Sequence, residues 1–323
     1  MRRQVNFVID GGVHGILAFG SNGEFYMVEE DEMRRGLRII LEETKGRIPV
    51  YFGMGAIKTR KCMELARMAS ECGADGISVL QPMFLKPTED ELYRHFRSIA
   101  EVIPGTPMLL YNNPGRVGYS LTTSLVTRLA ADVDNIVGIK DSSGDMTLTS
   151  EFVRLTKTEK KDFRVFGGKD TLIYGALVHG ADGAIATTAN MFPELVVSIY
   201  EKYMSGDLKG SLEAQFRLNP VRLSMDRASF PVATKDMANL LGLDVGEPYR
   251  PTVCSSGDVL DFMKKRLNLD SRPLITRLEV GHPVRHRFVS VSLKLRRPAA
   301  FAPDAQNIRL HRVCPGPLAG CSP

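Results

Sequence analysis

Short apolar runs recur through the first part of the chain at a spacing of about 30 residues, the length of one strand and helix unit. The runs are rich in Val, Ile, Leu, Phe and Ala. Because they are apolar at consecutive positions, the pattern predicts strands that are covered on both faces. Seven strands are predicted, at Gly15–Phe19, Pro49–Gly53, Gly76–Leu80, Pro107–Tyr111, Ile136–Lys140, Arg164–Gly167 and Gly183–Thr187.

Amphipathic stretches separate these runs. The clearest is Lys58–Cys72, whose apolar residues fall on one stripe at helical spacing: Cys62, Leu65, Ala66, Ala69 and Cys72. Thr88 with Glu91 three residues later has the pattern of a capping box and predicts another helix start. Strands that alternate with helices indicate a parallel sheet, and the regular period favours a closed barrel over an open, doubly wound sheet.

The pattern divides the chain into three parts. Residues 1–190 are predicted to form the catalytic (βα) barrel, and residues 191–270 a helical region with helices at Pro193–Met204, Leu208–Met225, Pro231–Leu241 and Gly257–Leu267. Residues 271–323 hold 7 of the 18 prolines without sustained periodicity, which predicts a disordered tail. The sequence thus predicts an α/β protein with a (βα)8 TIM barrel and a C-terminal helical appendage. Seven strands were counted and the chain opens in a predicted helix at Arg2–Asp10, so we expect the barrel to lack its first strand.

The net charge of +5 resides in the predicted tail. Residues 271–323 carry 9 Lys+Arg against 2 Asp+Glu, whereas residues 1–270 carry 33 against 35. A nucleic-acid-binding arm would be basic too, but only Phe288 and Phe301 interleave the charges, and we expect no nucleic-acid partner. No apolar stretch is long enough to span a membrane and no hydrophobic signal core follows the first arginines, so we expect a cytoplasmic protein without a membrane partner.

Lys140 is the first candidate for chemistry. It ends an apolar strand and is followed by the polar turn 141–145. In a (βα) barrel the C-terminal ends of the strands face the active site, so the amine would point into the mouth of the barrel. An amine there could attack a ketone and form an imine. On position alone, a solvated lysine at a strand end is the alternative.

Tyr111 ends the preceding strand, 29 residues upstream, which places it on the adjacent strand at the same end of the barrel. Its phenol could relay protons, or it could simply cap the barrel core. The turn that follows presents Arg116, whose planar guanidinium suits a carboxylate. A lone loop arginine is more often solvated.

Two glycine-rich turns and the cysteines complete the candidates. Gly20–Glu24 offers a hydroxyl and an amide beside a possible anion but lacks the spacing of a nucleotide-binding loop. Gly167–Asp170 follows the next-to-last strand, where barrels often bind phosphate, and this leaves a phosphorylated substrate as an alternative. The five cysteines are widely spread without a CxxC pair, so we expect no metal site.

Taken together, five motifs resemble the dihydrodipicolinate synthase / N-acetylneuraminate lyase family over about residues 4–270: GSNGE, YNNPGR, GIKDSSGD, FGGKD and GADGAIATTAN. The resemblance implies a (βα)8 barrel that assembles as a homo-oligomer, a dimer or tetramer. It also implies class I aldolase chemistry on a small-molecule 2-oxo acid and an aldehyde. The imine forms through a lysine, without a metal or organic cofactor.

The resemblance also implies a role for each matching residue. Lys140 corresponds to the Schiff-base lysine and Tyr111 to the proton-relay tyrosine. Ser21 and Asn22 correspond to the pair that holds the carboxylate of the oxo acid, and Arg116 to the arginine that holds the carboxylate of the aldehyde. Ile185 falls where the family places a backbone carbonyl against the bound oxo acid.

Two departures leave the substrate open. Asn22 replaces a hydroxyl residue, as in the 4-hydroxy-2-oxoglutarate aldolase branch, and Phe84 stands where the synthase carries a tyrosine supplied by a neighbouring subunit. Because of Arg116 we expect a 4-hydroxy-tetrahydrodipicolinate synthase-like enzyme that condenses pyruvate with aspartate semialdehyde. The alternatives are an aldolase for 4-hydroxy-2-oxoglutarate or a 2-keto-3-deoxy sugar acid, and a catalytically impaired relative that serves as a binding or scaffold protein.

Overall fold

The structure is a computed structural model that describes residues 1–160, 162–267 and 289–292. Seven parallel strands follow one another in chain order around a barrel, each hydrogen-bonded to the next. They are β1 (Gly15–Ala18), β2 (Val50–Met54), β3 (Gly76–Leu80), β4 (Met108–Asn112), β5 (Ile136–Asp141), β6 (Arg164–Gly167) and β7 (Gly183–Ala186). Each boundary lies within one residue of the predicted one, so the sequence-based prediction of a TIM-like barrel is confirmed.

An eighth strand, β8 (Val289–Ser292), pairs antiparallel with both β1 and β7 and closes the barrel. The sequence pattern did not predict it, because its four residues, Val-Ser-Val-Ser, do not form the kind of apolar run by which the other seven strands were predicted, and they lie in the segment predicted to be disordered. Without this strand, β1 and β7 would each present a row of unpaired backbone groups. The rest of the predicted tail, residues 271–288 and 293–323, lies outside the described residues, and its disorder stays a prediction.

Helices pack around the strands and form the C-terminal region. Between the strands lie α2 (Glu30–Thr44), α3 (Thr59–Glu71), α4 (Glu89–Glu101), α5 (Pro114–Val117), α6 (Thr123–Asp132), α7 (Met146–Glu159) and α8 (Ile173–Val178), and α1 (Arg2–Asp10) precedes β1. After β7 follow α9 (Pro193–Met204), α10 (Leu208–Ser224), α11 (Val232–Leu240) and α12 (Gly257–Arg266). None of the helices described is long and apolar enough to cross a membrane.

The predicted helix signals have the expected physical basis. Thr88 and Glu91 form a reciprocal capping box at the start of α4. The apolar stripe of α3 is buried at Cys62, Leu65, Ala66 and Ala69, whereas Cys72, just past the end of the helix, is only partly buried.

The interior of the barrel is filled with side chains and is not a channel. A cluster of inward-facing residues occupies it: Leu17, Tyr51, Leu109, Phe166 and Ile185. At Gly76 a side chain has no room, because a Cβ would lie 2.2 Å from the Tyr51 ring. Since the interior is filled, groups that meet a substrate must lie at the mouth of the barrel.

His95, on α4, is buried outside the barrel. Its Nδ1 lies 2.9 Å from Thr59 Oγ1, and its Nε2 has no hydrogen-bond partner among the described residues. Burial lowers the pKa of His95 from 6.5 to about 4. The unfolded chain therefore binds a proton between these two pH values that the folded protein does not bind.

We predict that this histidine makes the fold sensitive to acid. Above pH 6.5 the buried, neutral His95 does not lower the free energy of unfolding. As the pH falls from 6.5 towards 4 the free energy of unfolding decreases, by about 2 kcal/mol between pH 7 and pH 5. Urea unfolding at both pH values should show a smaller loss for His95→Gln than for the unchanged protein. Equal losses in the two proteins would contradict the neutral, buried state of His95.

Candidate active site

Lys140 and Tyr111 meet at the C-terminal ends of β5 and β4. The parallel register pairs the two residues directly across the strands. Lys140 Nζ lies 4.4 Å from the centroid of the Tyr111 ring, and each residue is only 5% exposed. Among the residues described, no carboxylate forms an ion pair with Lys140. A solvated lysine, the alternative on position alone, does not fit this burial.

Tyr111 is the centre of a hydrogen-bond network. Asn113 Nδ2 donates to Tyr111 Oη at 2.8 Å, and Ser21 Oγ lies 3.3 Å from the same oxygen. Burial alone would raise the pKa of this phenol, but the ammonium of Lys140 and the surrounding hydrogen-bonding side chains outweigh burial. The pKa of Tyr111 therefore lies below its usual value, which suits a group that gives up and takes back a proton.

The turn after β1, Gly20–Glu24, is called the site loop below. It forms a short 3-10 helix at Ser21–Gly23, and Ser21 and Asn22 are both buried. The Asn22 amide is engaged on both sides, since Nδ2 donates to Thr187 Oγ1 at 2.6 Å and Oδ1 accepts from Thr234 Oγ1 at 2.7 Å. Only one amide hydrogen of Asn22 is left for a ligand.

A buried carboxylate fixes the end of β5. Asp141 accepts hydrogen bonds from Asn112 Nδ2 at 2.9 Å, Ser143 Oγ at 2.9 Å and Thr149 Oγ1 at 2.5 Å. These bonds join β4, β5 and the start of α7 directly behind Lys140. Sequence reasoning did not assign a role to Asp141, although its place beside Lys140 in GIKDSSGD was a signal.

Arg116 lies on α5 at the edge of a cavity of about 300 Å³. Its guanidinium carbon stacks 4.0 Å from the centroid of the Phe230 ring. Other polar side chains in the lining are Asn22, Thr187, Arg222, Asp226 and Thr234. Arg222 and Asp226 form an ion pair at 2.7 Å. Sequence reasoning missed Thr187, which directly follows β7, and the residues of the C-terminal helices, which only the tertiary fold brings here.

Gly167–Asp170, the other glycine-rich turn, is occupied by the protein itself. The Asp170 carboxylate accepts hydrogen bonds from the backbone N–H groups of Thr187 and Thr188, and Gly168 N donates to Asp141 O at 2.6 Å. A buried carboxylate at this turn repels an anion, so the alternative of a phosphorylated substrate has no support here.

Two further residues singled out in the sequence are Ile185 and Phe84. Ile185 lies on β7 and its side chain belongs to the barrel interior, so the role of its carbonyl stays a prediction. Phe84 is 93% exposed in the loop after β3, with a left-handed backbone (φ 73°), and it does not line the cavity of its own chain.

The described residues contain no cluster of three His, Cys, Asp or Glu side chains that could hold a metal ion. Lys140 and Tyr111 contribute an amine and a phenol, and the cavity lining contributes hydroxyls, an amide and guanidinium groups. Such a set can bind a carboxylate, add an amine to a carbonyl and move a proton.

The chain is similar to proteins of known family and structure. The sequence model of the dihydrodipicolinate synthetase family matches residues 1–268. A 4-hydroxy-tetrahydrodipicolinate synthase of Thermus thermophilus is 36% identical over 272 residues, 83% of this chain and 90% of that protein. A crystal structure of dihydrodipicolinate synthase from Thermotoga maritima gives a TM-score of 0.80 at 32% identity and covers 83% of this chain and 90% of that one. YagE, a prophage protein from E. coli solved in complex with pyruvate, gives a TM-score of 0.79 at 28% identity, over 83% of this chain and 90% of that one.

Proposed function

Since this chain belongs to the dihydrodipicolinate synthetase family, whose members are lyases of the class I aldolase type, we propose that Lys140 forms an imine with a 2-oxo acid such as pyruvate. The observation that carries the proposal is the buried contact between Lys140 and Tyr111 at the mouth of the barrel. A buried amine that no described carboxylate pairs with, beside a phenol whose pKa is lowered, has no evident use in a catalytically impaired scaffold.

In the proposed reaction the Lys140 amine adds to the ketone carbon of the oxo acid, and loss of water converts the carbinolamine to the imine. Tyr111 takes up the proton released by the amine and returns it to the departing hydroxyl. Loss of a proton from the carbon next to the imine gives an enamine, which adds to the aldehyde. The alkoxide that forms takes up a proton, and hydrolysis of the imine by water releases the product and restores the Lys140 amine. The imine nitrogen serves as the electron sink, so this chemistry requires no separate cofactor.

For the second substrate we propose aspartate semialdehyde, as for the synthases that this chain resembles. Arg116 supports this choice, because its guanidinium lies in the same cavity as Asn22 and Thr187 and could pair with the second carboxylate. Stacking on Phe230 holds the planar group in one orientation.

An aldolase for 4-hydroxy-2-oxoglutarate or a 2-keto-3-deoxy sugar acid is the second candidate. The cavity contains the Asp226 carboxylate together with the hydroxyls of Thr187 and Thr234, and these groups suit a substrate with several hydroxyls.

We also propose that the enzyme acts as a homo-oligomer. Phe84 is almost fully exposed and Leu85 beside it is 45% exposed, and a second copy of the chain would remove both side chains from water. In that assembly the Phe84 ring could pack near the neighbour's site but could not relay a proton.

Product analysis with a panel of substrates tests the proposed function. We expect pyruvate and aspartate semialdehyde to be consumed together at a higher kcat/KM than that for cleavage of 4-hydroxy-2-oxoglutarate or 2-keto-3-deoxygluconate. Faster cleavage of either oxo acid would replace the synthase proposal with the aldolase one. Absence of turnover with every member of the panel would support the impaired relative.

We predict that Arg116→Ala lowers kcat/KM for the semialdehyde by roughly 10- to 100-fold, because a hydrogen bond to a charged group is lost. The rate of imine formation with pyruvate should change little, since that carboxylate is held by the site loop. Steady-state kinetics and borohydride trapping measure the two effects separately.

Arg128→Ala is the matched control, because Arg128 stacks 3.8 Å from the Tyr93 ring on the outer helices and does not line the cavity. It should leave both rates unchanged. Equal losses in trapping and turnover for Arg116→Ala would contradict the proposed division of roles.

A further inference from the structure

A second buried lysine, Lys235, lies on α11 in the C-terminal helical region. It is 2% exposed, and its Nζ forms an ion pair of 2.5 Å with Glu24 Oε2 of the site loop. The same ammonium donates to Glu247 O at 2.7 Å. The reaction proposed above makes no use of this lysine. The ion pair and the hydrogen bond both engage its ammonium, whereas no carboxylate among the described residues pairs with Lys140. Lys235 is therefore poorly placed to act as the nucleophile.

Glu24 is held in a backbone conformation that residues other than glycine rarely adopt. Its backbone is left-handed (φ 56°, ψ 34°), which costs a non-glycine residue free energy. Its carboxylate is 3% exposed, and a buried charge is tolerated only when it is paired. Besides Lys235, the carboxylate accepts a hydrogen bond from Tyr249 N at 3.1 Å. Both partners of Glu24 thus come from the C-terminal region.

The neighbouring residue on α11 reaches the same loop. Thr234 Oγ1 donates to Asn22 Oδ1, two residues before Glu24. At its other end the site loop touches the catalytic centre, where Ser21 Oγ lies 3.3 Å from Tyr111 Oη. A continuous chain of contacts therefore runs from α11 through the site loop to the phenol beside Lys140.

We propose that Lys235 is a positioning residue that, through Glu24, fixes the site loop in the geometry that binds the oxo acid and supports Tyr111. The part of this inference that concerns binding of the oxo acid and Tyr111 rests on the proposed function. The mechanical part, that Lys235 holds the loop, is independent of it. The helical region thereby becomes part of the active site and is more than an appendage to the barrel.

The test compares Lys235→Met with Arg164→Met. Arg164 forms an ion pair of 3.0 Å with Asp182, a pair that is also largely shielded from solvent but lies at the opposite end of the barrel. Both variants lose a cation and should lower the melting temperature. Only Lys235→Met should increase backbone hydrogen exchange in a peptide that covers residues 20–27, measured without substrate.

With pyruvate, Lys235→Met should slow imine trapping at Lys140 by roughly ten- to a hundredfold and raise KM for pyruvate, because the site loop is displaced. Thr234→Val removes one hydrogen bond with little change of shape, and a smaller loss of the same kind is expected even if Lys235→Met folds poorly. Arg164→Met should keep the unchanged protein's pyruvate dependence.

Equal loop exchange in Lys235→Met and Arg164→Met would overturn the inference, as would unaltered pyruvate dependence in both Lys235→Met and Thr234→Val. If the unchanged protein forms no imine, the proposed function fails, and the exchange measurement still decides whether Lys235 holds the loop.

Discussion

The parallel register between β4 and β5 is the constraint on which the site depends. It pairs Tyr111 with Lys140 across the two strands, at the end where the strands open towards the mouth of the barrel. Because the barrel interior below them is filled, neither side chain can move down into the barrel. The hydrogen bond from Asn112 to Asp141 links the ends of the two strands. A shift of one residue in this register would turn one of the two side chains to the outer face.

The site draws on two regions that are far apart in the sequence. The barrel supplies the amine, the phenol and Arg116, while the C-terminal helices supply Phe230, Thr234 and Lys235 around the site loop. The family to which the chain belongs consists of lyases of the class I aldolase type. The cavity is therefore complete only when the barrel and the C-terminal region are packed together.

The seven parallel strands could be predicted because each is a local apolar run with polar or glycine boundaries. The pairing of Tyr111 with Lys140 followed from one repeat of spacing on adjacent strands. The contacts of the C-terminal region could not be predicted in this way, since Thr234 and Asn22 are 212 positions apart and no local pattern joins them. Strand β8 was missed for a related reason, because its partner strands are distant in the sequence and its four residues alternate Val and Ser, unlike the apolar runs of the other strands. The motif also could not predict how much of the Asn22 amide is free to bind a substrate, because the hydrogen bonds to Thr187 and Thr234 form only in the folded protein.

Borohydride reduction in the presence of pyruvate, followed by peptide mapping, tests the central claim most directly. The account predicts one stable adduct, on the peptide that contains Lys140, and none on the peptide that contains Lys235. An adduct on another lysine, or no adduct in protein that turns over substrate, would contradict the role given to Lys140.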